Sequence, residues 1–143
     1  MRKAIVVALA TVALAVPNAE AWGAARLVKT SAKKVVSARK SFTGTPGSAD
    51  RWGEVEVTIV VKKTTVTVGS KKTVTRKIVA IRVPVYPDHT GRSIEINSQA
   101  LPWLAQETMK AQSARIDLIS GATYTSQGFI DSLQSALTKS HAW

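Results

Sequence analysis

Cysteine is missing from this chain and histidine is scarce. Among its 143 residues there is no cysteine, and the two histidines are His89 and His141. Disulfide bonds, iron–sulfur clusters, c-type haem attachment and the usual zinc sites all need more of these side chains. Burial of apolar surface alone therefore has to hold the fold together.

Acidic residues are absent from two long stretches. Residues 22–49 contain no Asp or Glu but six Lys or Arg, and residues 57–87 contain no acid but seven basic residues. The formal net charge of the chain is +11. Such a surface attracts polyanions, and no helix-turn-helix, aromatic RNA-binding or zinc-finger pattern indicates nucleic acid. We expect either an anionic membrane or cell-wall surface as a partner, or a solvated basic face that only aids solubility.

The first 21 residues have the parts of a secretory signal peptide. Basic residues at positions 2 and 3 precede an apolar run over residues 4–16, and the small-residue site Ala-Glu-Ala follows at 19–21. This pattern predicts cleavage before Trp22. A retained membrane anchor is the alternative, but the run is shorter than the roughly 20 apolar residues that cross a bilayer. We therefore expect an extracytoplasmic protein, secreted or peripherally associated with the membrane.

Hydrophobic periodicity divides the remaining chain into a leader and one domain. Residues 22–41 show no clear period and are interpreted as a basic leader or linker before a domain over residues 42–143. From Glu54 the residues alternate with the two-residue period of a half-buried strand. The apolar positions of this strand are Val55, Val57, Ile59 and Val61. A turn at Gly69-Ser70 and a second β-branched run ending near Pro84 and Pro87 predict an antiparallel hairpin or three-stranded meander.

The second half of the chain changes to helical periodicity. We expect one helix capped by Asn97 or Ser98, with Pro102 in its first turn, where proline is tolerated. A second helix is predicted to start between Thr123 and Ser126 and to run to about Lys139. Strands followed by helices predict an α+β fold, a small antiparallel sheet with two helices packed on one face.

The stretch "IDLISGATYTSQGF" at residues 116–129 concentrates small and hydroxyl-bearing residues at the start of that second helix. The first N–H groups of a helix lack partners and attract a phosphate. Gly121 and Ala122 would let the backbone approach a ligand closely. The alternative is that Ser and Thr side chains here simply cap the helix.

The segment from Asp117 to Thr123, "DLISGAT", resembles the flavinylation signature Asp-x-x-Ser/Thr-Gly-Ala-Thr/Ser of the FMN-binding domain family. The likeness extends from about Phe42 to Leu137, and no position of the signature is broken. The resemblance implies that a separate flavin transferase, using FAD, attaches FMN to Thr123 through a phosphoester bond. It implies a recognition role for Asp117, and a turn shaped by Ser120, Gly121 and Ala122.

The remaining candidate site residues are chosen by their positions in the sequence. Thr125 carries a neighbouring hydroxyl and is the second candidate for the attachment site, after Thr123. Tyr124, Trp103 and Leu104 are candidates for an apolar shelf under the flavin ring. His89 and Asp88 lie in one loop, but no nucleophile elbow or oxyanion-hole sequence supports a hydrolase.

The sequence thus predicts an exported domain that carries covalent FMN between membrane or extracytoplasmic redox partners, rather than a stand-alone catalyst. The alternative is a basic module that binds anionic lipid or cell-wall polymer and holds no flavin. A flavin-dependent reductase is a third hypothesis, and it would require a substrate pocket beside the ring.

Overall fold

One long central strand organises the sheet. The computed structural model describes residues 32–143, so the predicted signal peptide and the first part of the leader lie outside the described residues. The strands are β1 (Lys33–Thr43), β2 (Gly47–Ser48), β3 (Glu54–Val68) and β4 (Lys71–Val85), all antiparallel. A short 3-10 helix, Asp50–Trp52, joins β2 to β3. β1 and β2 pair with β3, which also pairs with β4.

The alternation predicted for β3 is confirmed. Val55, Val57, Ile59 and Val61 are buried, while the residues between them are partly exposed. Two helices, α1 (Gly91–Ala111) and α2 (Thr123–His141), cover this face and share one apolar core with it. The helical side of that core is formed by Leu101, Leu104, Phe129, Leu133, Ala136 and Leu137. The α+β fold expected from the sequence is therefore the one observed.

The hairpin is also as predicted, with Gly69-Ser70 between β3 and β4. Pro84 lies inside β4, where the register shifts between the pairs Thr58↔Arg82 and Glu56↔Val85. Proline lacks a backbone N–H, and such an irregularity is one of the few places where a sheet accepts it.

The boundary of the predicted leader needs correction. Residues 33–41 belong to β1, which pairs with β3 from Lys33↔Val68 to Thr43↔Thr58. Phe42 is the only buried residue of this strand. Backbone hydrogen bonds hold β1 in the sheet, so it shows none of the apolar alternation by which strands are recognised.

Helix α1 also starts earlier than the sequence predicts. The N-cap is Thr90, whose Oγ1 accepts a hydrogen bond from the Ser93 N–H at 3.1 Å. Pro102 therefore lies in the helix interior, where it has no N–H to donate to the Ser98 carbonyl. Asn97 is buried within the helix and does not cap it.

Glycine contacts and a serine hydrogen bond set the position of α2 on the sheet. A Cβ on Gly47 would collide with the Gly128 carbonyl, so the backbones of β2 and α2 touch directly. Ser132 Oγ accepts a hydrogen bond from the buried Val57 N–H at 2.9 Å. These contacts hold the helix, and with it the motif at its N-terminus, close against β2 and β3.

Neither α1 nor α2, the two α-helices within residues 32–143, is both long and apolar enough to cross a bilayer.

Candidate functional site

The motif folds into a tight turn that leads directly into α2. Gly121 adopts a φ of 84°, a left-handed conformation that glycine accepts most easily. The Ala122 N–H donates to the Ile119 carbonyl at 3.0 Å. Ser126, fully buried in the first turn of the helix, accepts from the Ile119 N–H at 3.1 Å and donates to the Ala122 carbonyl at 2.8 Å. One buried hydroxyl thus holds both sides of the turn.

The N-terminus of α2 carries no side-chain cap. Its N-cap residue is Ala122, no side-chain capping bond is made there, and its first turn has no acidic residue. The alternative interpretation, that a Ser or Thr side chain simply caps this helix, is therefore wrong. The first intrahelical bond is donated by Ser126, so the N–H groups of Thr123, Tyr124 and Thr125 have no acceptor within the helix. This arrangement suits an anion.

A pocket of about 250 Å³ opens at this end of α2. The motif supplies five of its lining residues, Gly121, Ala122, Thr123, Tyr124 and Thr125. The opposite wall comes from the start of α1, with Thr90, Arg92, Ser93, Ile96 and Asn97, completed by Trp52 and Pro87. Two helix N-termini and one guanidinium therefore face the same cavity, which makes it electropositive.

The predicted site residues divide between the pocket and the surface. Thr123 is exposed and lines the pocket, and no hydrogen bond of its hydroxyl is found among residues 32–143. Thr125 lines the same pocket but is almost fully buried. Asp117 and Ser120 are exposed and lie outside the lining, where another protein could reach them.

The aromatic wall differs from the expectation. Tyr124 lines the pocket, but Trp103 does not, and Leu104 lies in the core. Trp52 takes their place, with the Arg51 guanidinium 5.4 Å from its ring centroid. Two partly exposed aromatic rings, Trp52 and Tyr124, are thus available to a planar ligand.

Sequence reasoning missed the α1 side of the pocket. Thr90-Gly-Arg-Ser93 has the spacing of a capped helix start, and this was the available signal for Arg92. Nothing in the sequence indicated that Asn97 lines the pocket, because its place there depends on how the fold buries it. Its Nδ2 donates to the Pro87 carbonyl at 2.7 Å, while its Oδ1 is buried without a partner among the described residues.

Other polar candidates lie elsewhere. His89 and Asp88 approach to 3.6 Å at an exposed position beside a second cavity, which does not include the motif. The Gln112 amide pairs with the backbone N–H and carbonyl of Ile78 on β4, at 2.7 and 3.2 Å. Within residues 32–143 no cluster of three potential metal ligands occurs.

Comparison with known proteins identifies a domain family. The family model described as FMN-binding domain matches residues 50–138. No curated protein matches the chain. The matched residues run from the 3-10 helix before β3 to the last turns of α2, and they include both walls of the pocket.

Proposed function

Since the chain belongs to the FMN-binding domain family, we propose that this flavin-binding protein is exported, carries FMN covalently on Thr123, and transfers electrons between extracytoplasmic partners. The observation that carries this proposal is the exposed Thr123 hydroxyl in an electropositive pocket, beside three N–H groups that have no acceptor within residues 32–143. Bound FMN supplies the redox chemistry, while the chain supplies the attachment point and the surroundings.

The attachment step is a phosphoryl transfer catalysed by a separate flavin transferase. Thr123 Oγ1 attacks the phosphorus on the FMN side of FAD, the anhydride bond breaks, AMP leaves, and the hydroxyl proton passes to a base of the transferase or to solvent. The resulting phosphodiester keeps one negative charge. That charge would lie next to the N–H groups of Thr123, Tyr124 and Thr125, and within the field of Arg92.

The size of the pocket supports a carrier role. Pockets that enclose drug-sized ligands run from about 300 to 1,000 Å³, so a cavity of about 250 Å³ holds only part of a flavin nucleotide. Part of the ring would remain accessible to redox partners. Covalent attachment would let an exported protein retain its flavin, because a flavin held only by equilibrium binding would be lost outside the cell. Export itself rests on the signal-peptide pattern of residues 1–21.

A comparison of two threonine variants tests the attachment. The full chain, Thr123→Val and Thr125→Val are each co-expressed with a flavin transferase, denatured, and examined by in-gel flavin fluorescence. We expect fluorescent bands from the full chain and from Thr125→Val, and none from Thr123→Val. Fluorescence that persists in Thr123→Val would refute the assignment of Thr123. Amino-terminal sequencing of the exported protein should begin at Trp22, and an intact N-terminus would contradict cleavage.

A second proposal concerns the basic ribbon. We use this name for residues 33–41 of β1 together with residues 62–77, which comprise the end of β3, the turn and the start of β4. Before Ile78 none of these residues is buried, so this end of the sheet extends beyond the core. It carries ten Lys or Arg residues and no acid. No Asp or Glu side chain within residues 32–143 pairs with any of the ten, and two of them, Lys63 and Arg76, donate hydrogen bonds to the backbone oxygen of Trp143 at 3.1 and 2.6 Å. Val35, Val36, Val68 and Val74 are exposed among them. We propose that the ribbon docks on an anionic lipid surface and keeps the carrier near the membrane.

Vesicle binding at two salt concentrations tests the ribbon. Binding to phosphatidylglycerol vesicles should weaken steeply from 0.1 to 1 M salt, because the Debye length falls from about 10 Å to about 3 Å. Lys71→Gln with Lys72→Gln should weaken binding more than the control Lys110→Gln with Arg115→Gln, which removes two charges elsewhere. Binding only to an acidic wall polymer, or binding that is insensitive to salt, would contradict the lipid proposal.

A further inference from the structure

The amide of Asn97 is the most unusual polar group in the pocket. The residue is 2% exposed. Its Nδ2 donates to the Pro87 carbonyl at 2.7 Å, and its Oδ1 has no hydrogen-bond partner among the residues that the structure describes. A buried acceptor without a partner is costly and rare. It therefore requires an explanation.

The orientation of this amide is fixed. If the amide were flipped, Oδ1 would face the Pro87 carbonyl, and two acceptors would repel each other. The Pro87 carbonyl thus makes Asn97 present an oxygen, and it acts as a positioning group. Asn97 is one of the residues that line the pocket, but its Oδ1 is itself shielded, so a donor on a ligand in the pocket reaches this oxygen only if a neighbouring side chain moves.

The two walls of the pocket offer different kinds of hydrogen-bonding group. The first turn of α2 and the Arg92 guanidinium offer donors, which suit an anion. Asn97 offers an acceptor, which would repel the oxygens of a phosphate. A ligand that satisfies both walls carries an anionic group at one end and an uncharged donor at the other. FMN has this arrangement, with a phosphate at one end and hydroxyl and ring N–H donors beyond it.

We propose that Asn97 is a flavin-binding residue whose Oδ1 accepts a hydrogen bond from an uncharged donor of the flavin, either a ribityl hydroxyl or the ring N3–H. This inference rests on the proposed function, because it assumes that the phosphate lies at Thr123. Pro87 and Ile96 flank Asn97 in the same wall and limit the access of water. The hydrogen bond forms in a low-dielectric setting, where it is stronger than in solvent.

Titration with FMN tests the role of Asn97. The full chain is produced without a flavin transferase, and FMN binding is followed by quenching of tryptophan fluorescence. Asn97→Leu keeps the branching of the side chain at Cγ but removes the acceptor, together with the Nδ2 donor to the Pro87 carbonyl, so it should weaken FMN binding about 3- to 10-fold. Thr108→Val is the matched control, since Thr108 is buried in the same helix, bonds only the Leu104 carbonyl, and does not line the pocket. FMN should bind this control as it binds the unmodified chain.

Two FMN analogues identify the donor and separate a binding role from a merely structural one. One is methylated at N3, and the other has a pentyl chain in place of the ribityl hydroxyls. The unmodified chain should bind one of them more weakly than FMN, and Asn97→Leu should lose that discrimination. A merely structural asparagine would leave the same discrimination in both proteins. If Asn97→Leu does not fold, Asn97→Ala takes its place.

The outcomes separate this inference from the function on which it rests. Equal affinity of the unmodified chain for FMN and both analogues, or unchanged discrimination in the Asn97 variant, overturns the role of Asn97. Covalent labelling of Thr123 in a parallel co-expression with a flavin transferase would leave the proposed function standing. Absence of both FMN binding at millimolar concentration and covalent labelling would overturn both.

Discussion

Ser126→Ala should loosen the turn that presents Thr123. In the folded protein Ser126 Oγ accepts from the Ile119 N–H and donates to the Ala122 carbonyl, and the side chain is fully buried. Its removal leaves the Ile119 N–H without a partner. An unpaired buried donor costs about 1–3 kcal/mol, and because Ile119 is only half-buried we expect about 1–2 kcal/mol in the free energy of unfolding.

Ser140→Ala provides the control on the same helix. Ser140 is equally buried, but its hydroxyl only donates to the Leu137 carbonyl, so its removal leaves no backbone N–H unpaired. Urea unfolding of both variants should give a difference of about 1 kcal/mol, with unchanged m-values. Amide exchange at Ile119 should accelerate in Ser126→Ala alone, and its initial rate of flavinylation should fall. Equal free energies of unfolding and equal exchange at Ile119 would refute this account of the turn.

Three further changes test the recognition and seating of the motif. Asp117→Ala should slow flavinylation strongly without changing stability, because Asp117 is exposed. Labelling at the normal rate would show that the transferase does not recognise Asp117. Gly47→Ala should destabilise the protein by about 1–3 kcal/mol in thermal unfolding, because the new Cβ meets the Gly128 carbonyl; an unchanged Tm would show that α2 can move away freely. Ser132→Ala should cost about 1–3 kcal/mol in urea unfolding, because it leaves the Val57 N–H unpaired; a loss below about 0.5 kcal/mol would show that water replaces the hydroxyl.

The features that the sequence predicted correctly are local. The alternation of β3, the turn at Gly69-Ser70 and the start of α2 near Thr123 each depend on residues close together in the chain. Short-range patterns record such features well.

The missed features depend on packing between distant segments. Trp52, Arg92 and Asn97 reach the motif only because the 3-10 helix and the start of α1 lie against the start of α2. The true cap at Thr90 competed with Asn97-Ser98, a second pair of capping residue types, and the periodic run after them favoured the later start. β1 was missed because it is held by backbone pairing, with Phe42 as its single buried side chain.

Mass spectrometry of the intact protein, followed by peptide mapping, tests the central claim most directly. The chain is purified after co-expression with a flavin transferase, and its mass is compared with that of Thr123→Val prepared in the same way. The account predicts an added mass of one FMN less one water, located on Thr123 and absent from the variant. An unmodified mass in a preparation that contains active transferase, or the same added mass in Thr123→Val, would contradict it.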